Sequence, residues 1–160
     1  MPKTIRLAEH SDVAAMAGLR AQEWGEKVFW TDRIARYIRG EHSPQHALPE
    51  RGVFVAVDNG TVVGFVAGHR TRRFDCDGEL QWINVAEAKR GEGIGYKLLE
   101  RIGAWFVEHN VQRVCVNVAA TNSNARRLYS RYGAKPFKQA WMVWDDVRSM
   151  GMNKRPSEGM

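Results

Sequence analysis

The segment Arg90-Gly91-Glu92-Gly93-Ile94-Gly95 lies between an apolar run and an amphipathic stretch. Glycine at every second position leaves a turn bare of side chains, so backbone N–H groups can approach a ligand closely. The stretch from about Ile94 reads as a helix whose N-terminus and positive dipole end face into that turn. Strand, turn and helix N-terminus together suit a phosphate or pyrophosphate. Two common phosphate-binding patterns are excluded by spacing. No run of Gly, four residues and Gly-Lys-Ser/Thr occurs, so this is not a P-loop. Counting from Gly91, the third glycine of a dinucleotide fingerprint would fall on Tyr96. The acidic residue expected about twenty places further on is also missing, since those positions hold Val111 and Gln112. The turn alone is equally compatible with a plain strand-to-helix connection.

A second segment, Asn122-Ser-Asn-Ala125-Arg-Arg-Leu-Tyr129-Ser-Arg-Tyr-Gly133, narrows the reading. Asn122, Ala125, Tyr129 and Gly133 are three, four and four residues apart, which lines them along one side of a helix. Asn122 suits its N-cap and Gly133 its end. The two segments together resemble the motifs of the GNAT superfamily of N-acetyltransferases. The match is tight from Glu79 to Gly133. It is looser, in element order only, from Ile5 to Arg70 and from Ala134 to Val147.

The resemblance implies an α/β (α+β) GNAT fold: a mixed, strongly twisted sheet whose fourth and fifth strands splay into a V-shaped slot. It implies acetyl-CoA as co-substrate, with no metal, and direct transfer to a primary amine of a small molecule or peptide. The pantetheine arm would pair with the backbone of Ile83 and Val85. The pyrophosphate would meet the N–H groups of Arg90, Gly91, Glu92, Gly93, Ile94 and Gly95. Asn122 would contact the pantetheine arm or cap its helix. From charge, Lys89, Arg90 or Arg126 is expected to meet cofactor phosphate. Tyr129 matches the family tyrosine that faces the cofactor sulfur, which makes it the candidate general acid. Glu79 is the candidate base, acting through a water, with His69, Asp75 and Asp77 as other candidates. Direct transfer needs no enzyme nucleophile, and positioning supplies much of the rate. A non-catalytic acyl-CoA-binding or regulatory module on the same fold is the alternative, and it need keep neither Tyr129 nor Glu79.

The elements that must position these residues follow from the rest of the chain. Thr4 to Leu7 reads as a strand. Ser11-Asp12 caps a helix that carries Val13, Met16, Ala17 and Leu19 inward. A second helix is expected after Thr31-Asp32, and the segment from Glu41 to Gly52, with its prolines, as a loop. Val53 to Val57 and Thr61 to Gly68 flank Asn59-Gly60, a strong hairpin signal. Glu79 to Val85 is the strand before the glycine turn; regular spacing would put Glu79, Gln81, Ile83 and Val85 on one face, and the resemblance implies a bulge that breaks it. The helix from Ile94 ends at His109-Asn110, where Asn suits a left-handed cap. A strand from Val111 to Val118, the Tyr129 helix and two short strands near Lys135-Pro136-Phe137 and Gln139 to Asp145 complete the order. That order gives a sheet of six to seven strands with about four helices.

The 160 residues suit one domain over 1–150 with a tail over 151–160. No run approaches the roughly twenty apolar residues of a membrane span. The N-terminus lacks the apolar stretch of a signal peptide, so a cytoplasmic protein is expected. Cys115 falls in a strand pattern and reads as core; Cys76 falls in a polar loop and reads as exposed. A net charge of +6 suits a polyanion such as coenzyme A. No nucleic-acid recognition motif accompanies it. Trp24, Phe29, Trp30, Tyr37 and His42 fall where the family shapes its acceptor pocket, with Trp24 and Tyr37 read as core. Trp141 is expected to line the acceptor side or to make a homodimer contact. A strongly basic acceptor would need a local acidic mouth built from Glu23, Asp75, Asp77 and Glu79.

Overall fold

The structure is a computed structural model, and it describes residues 3–151. The elements are β1 (Thr4–Leu7), α1 (Val13–Glu23), α2 (Lys27–Ile38), β2 (Ala47–Asp58), β3 (Thr61–Thr71) and β4 (Gly78–Val85). They continue with α3 (Ile94–Glu108), β5 (Val114–Asn117), α4 (Ser123–Arg131), β6 (Lys135–Lys138) and β7 (Trp141–Trp144). One seven-stranded sheet runs in the order β1-β2-β3-β4-β5-β7-β6. Every neighbouring pair is antiparallel except β4 and β5, which are parallel. Among the described residues, this mixed sheet and its four α-helices match the fold that the resemblance implies.

Two apolar layers sandwich the sheet. On one face Leu98, Leu99, Ile102 and Phe106 of α3 and Tyr129 of α4 pack with Leu80 and Val116. On the other, Met16, Ala17, Ile34 and Tyr37 of α1 and α2 pack with Val55, Phe65 and Trp82. The sheet parts between β4 and β5. Their pairing covers Gly78↔Val114, Glu79↔Cys115 and Leu80↔Val116 and then stops, while β4 continues to Val85. The unpaired half of β4 forms one wall of the V-shaped slot.

A bulge sits where the strands part. Ala67 pairs with Trp82 and Gly68 with Leu80, so Gln81 has no opposite residue on β3. On a regular strand Leu80 and Trp82 would share a face. Here Leu80 joins the α3 core and Trp82 the α1–α2 core. An unbroken strand would have put Glu79 on the same face as Ile83 and Val85. The bulge instead leaves Ile83 and Val85 against α3 and turns Glu79 toward His69, whose ring meets Tyr37 of α2.

Several local expectations are corrected. α2 begins at Lys27, because the Thr31 hydroxyl bonds back to the Lys27 carbonyl at 2.8 Å instead of capping. β2 begins at Ala47 in the expected loop. Pro49 is tolerated because it falls in a bulge between the Ala47↔Thr71 and Arg51↔His69 pairs, where no ladder donor is required. Cys76 is buried, not exposed: it packs with Cys115 and Val143 under Phe74, Phe137 and Trp141, and both thiols are free. Trp24 is 61% exposed, not core. Asn59 and Gly60 both have positive φ, as the hairpin turn requires, and Asn110 caps α3 at φ 61°. Of the expected tail, 152–160 lie outside the described residues.

Candidate functional site

The slot opens into a cleft of about 1000 Å³ bounded by β4, the glycine turn, α4 and the end of α1. Its β4 wall offers free backbone. The Ala86 N–H donates to the Val63 carbonyl at 2.7 Å, which makes this a hydrogen-bonded antiparallel pair. Antiparallel pairs alternate, so Ile83 and Val85 turn their N–H and C=O groups away from β3 and toward the slot. An extended amide-bearing chain can pair with them as an added strand.

At the end of this edge lies the glycine turn. Gly91 and Gly93 have φ of 85° and 83°, and Gly93 is the N-cap of α3. A Cβ at either would meet nothing within 4 Å. Packing therefore does not demand glycine there; the left-handed backbone and the open space above the turn do. Gly95 differs, because a Cβ there would lie 3.3 Å from Leu128, so it allows α3 to approach α4. Gly91, Gly93, Ile94 and Gly95 line the cleft with the first turn of α3, whose N–H groups precede the first intrahelical acceptor. These features fit a pyrophosphate. Arg90 also lines the cleft, with Nη2 at 3.5 Å from Glu23. The Glu92 side chain turns away to Lys3, at 2.5 Å.

α4 closes the opposite wall. Asn122 accepts from the Ala125 N–H at 3.2 Å, so its side chain serves as the cap while the residue borders the cleft. Arg126 is not part of the lining: its guanidinium donates to the carbonyls of Ala119 (3.1 Å) and Val118 (3.0 Å). Arg127 and Arg131, on the same helix, line the cleft instead. Adjacent basic residues on a helix point about 100° apart, and the sequence alone does not say which one faces the ligand.

Tyr129 projects from α4 to the cleft, only 5% exposed, with Trp144 edge-on at 5.4 Å. Among the described residues its hydroxyl has no hydrogen-bond partner, so it is not tied to backbone. Burial pushes the phenol well above its ordinary value of 10.0; Arg20 draws it back and Glu23 raises it further. The hydroxyl is therefore a neutral donor at physiological pH.

Glu79 also lines the cleft. Its carboxylate is 3.1 Å from Arg73 Nε and 3.5 Å from His69 Nε2, and the His69 Nδ1 meets the Tyr37 hydroxyl at 2.8 Å. The other named base candidates fall elsewhere. Asp77 accepts from the Gln112 N–H at 2.6 Å, and Asp75 lies on a turn outside the cleft. Trp141 packs against Phe74 at 5.0 Å and does not line the cleft.

Residue types alone did not reveal Arg20, Asn84 or Trp82. Arg20 follows Met16 by four and Ala17 by three, both fully buried, so a charged residue sits on the inner face of α1. That misplaced charge was the available signal.

The sequence pattern that defines the Acetyltransferase (GNAT) family matches residues 10–134. The chain belongs to the GNAT acetyltransferase family. A curated relative, an uncharacterized N-acetyltransferase of Archaeoglobus fulgidus, is 36% identical over 93 residues. That match covers 49% of this chain and 56% of the relative, so the chain spans little more than half the length of the relative. Among solved structures, Ard1 of Thermoplasma volcanium superposes with a TM-score of 0.71 at 20% identity, covering 89% of this chain and 97% of that one. The PaiA N-acetyltransferase of Thermoplasma acidophilum, solved with coenzyme A, gives 0.69 at 16% identity, covering 89% and 98%. Both share the GNAT fold with this chain.

Proposed function

We propose that the protein transfers the acetyl group of acetyl-CoA directly to a primary amine bound in the same cleft. The observation that carries this is the free backbone edge of β4 at Ile83 and Val85. It runs between the open glycine turn and the unpartnered Tyr129 hydroxyl. Pantetheine amides suit the edge, and the N–H groups of Gly91 to Gly95 suit the pyrophosphate. Arg127 and Arg131 supply positive charge near it, in place of Arg126. Acetyl-CoA supplies an activated thioester. Everything else is positioning and proton management.

Tyr129 donates a hydrogen bond to the sulfur as negative charge develops there. A phenol held above its ordinary value is a weaker acid than a thiol of about 8.5. Its contribution is thus a fixed donor in a dry site, and complete proton transfer is not required. Glu79 accepts the amine proton through a water, and Arg73 holds its carboxylate in place.

The test is release of coenzyme A thiol from acetyl-CoA with pooled polyamines, aminoglycosides, amino acids, arylamines and short peptides. Release dependent on one pool is expected. Tight acetyl-CoA binding without release from any pool would count against transfer and favour a binding module.

A further inference from the structure

The acceptor end of the cleft holds a cation with no anion. Arg20 reaches it from α1 with its guanidinium 4.4 Å above the Trp30 ring and 6.0 Å from Trp82. Stacking on indole fixes the plane of the group. Nη1 donates to Asn84 Oδ1 at 3.1 Å. Nε is buried without a partner, and Nη2 has none among the described residues. Of the other arginines around the cleft, Arg73 has Glu79 at 3.1 Å and Arg90 has Glu23 at 3.5 Å, whereas Arg33 meets the His42 ring at 3.2 Å. Glu23 is the nearest acidic influence on Arg20, yet its Oε1 is engaged by Asn84 Nδ2 and Arg90. The acidic mouth that a basic acceptor would need is therefore not formed: Glu23 and Glu79 each face an arginine, and Asp75 and Asp77 lie outside the cleft.

A guanidinium edge with two unpartnered donors, Nε and Nη2, matches a carboxylate, which accepts two parallel hydrogen bonds. Arg20 and Tyr129 line the same cleft, so a carboxylate seated on Arg20 shares that cleft with the point of transfer. The amine and the carboxylate must then be neighbours on one small molecule. Trp24, exposed and edge-on to Trp30 at 5.1 Å, and Trp30, edge-on to Trp82 at 5.9 Å, supply an apolar aromatic wall beside them.

Resting on the acetyl-transfer reading of this cleft, we propose that the acceptor is an α-amino acid with an apolar or aromatic side chain. Arg20 receives its carboxylate, and the tryptophans receive its side chain. A peptide N-terminus lacks the adjacent carboxylate, and a polyamine carries the wrong charge.

The test separates binding from turnover. Protein saturated with coenzyme A is titrated calorimetrically with N-acetyl-L-phenylalanine and with its carboxamide. A charge-assisted pair predicts that the acid binds at least about tenfold tighter than the amide. That gap should close in Arg20→Gln, with coenzyme A affinity unchanged. Equal binding of acid and amide by the wild type, no binding of either, or a gap that survives in Arg20→Gln would overturn the assignment. The wild-type comparison decides even if the variant fails to fold. Thiol release is measured in parallel with phenylalanine, phenylalaninamide and phenethylamine. A preference for the acid in binding, without release from any amine, would sink the transfer reading and leave the carboxylate site standing. Equal release from acid and amide would do the reverse.

Discussion

At the scale of single residues, two polar groups in the cleft have different work. Tyr129→Phe removes one hydroxyl and leaves the ring against Trp144. Turnover should fall about a hundredfold, with acetyl-CoA affinity unchanged by calorimetry. An unchanged kcat would remove the donor role. Glu79→Gln keeps the size of the side chain and an oxygen for Arg73, but it cannot take a proton. Loss of kcat in a variant with an unaltered melting temperature would mark a base, whereas full activity would mark a buttress. Tyr129 itself was legible from the motif spacing. The cleft-facing position of Arg127 was not legible, because the Arg126 guanidinium donates to the first carbonyls of the β5–α4 connection while Arg127 lines the cleft. Whether a basic side chain goes to backbone or to solvent depends on a loop path that the motif does not encode.

At the scale of elements, the glycine turn and β4 carry the site. Gly93→Val introduces a side chain at φ 83° into space that holds no protein atom. The left-handed backbone should cost about 1–2 kcal/mol in stability. The larger effect falls on acetyl-CoA, whose affinity should drop more than about tenfold because the branched side chain occupies the approach to the N–H groups. A folded variant that binds normally would contradict the pyrophosphate assignment. The turn was readable because glycines leave an unambiguous mark. The register of β4 was legible only in part: the resemblance implied a bulge in that strand, but alternation did not mark Gln81 as the unpaired residue that exchanges the faces of everything beyond it. For the same reason the buried environment of Glu79 could not be read from alternation. β2 escaped notice at its start because Pro49 argues against a strand unless a bulge is known to receive it.

At the scale of the molecule, the order of elements was legible throughout, since helix and strand periods alternate clearly along the chain. Long-range closures were not. The burial of Cys76 beside Cys115 depends on a turn folding over β5, and the convergence of Arg20 and Tyr129 on one cleft depends on the slot opening the sheet between its two faces. Two buried phenols also shape the response of the whole fold to pH. Burial raises both Tyr37 and Tyr129 above their ordinary value of 10.0. A group raised on folding contributes stability that is complete below its unfolded pKa and is lost as pH rises toward the folded one. The melting temperature should therefore fall as pH climbs above about 10. A double Tyr37→Phe, Tyr129→Phe variant should show a shallower decline in the same scans, and an equal slope would mean the two phenols titrate normally. The most direct test of the whole arrangement is a crystal structure of the protein with coenzyme A. The expected result is pantetheine amides paired with the backbone of Ile83 and Val85, pyrophosphate oxygens on the N–H groups from Gly91 to Gly95, and the thiol within hydrogen-bonding distance of the Tyr129 hydroxyl. Coenzyme A bound elsewhere, or bound with its sulfur remote from Tyr129, would contradict it.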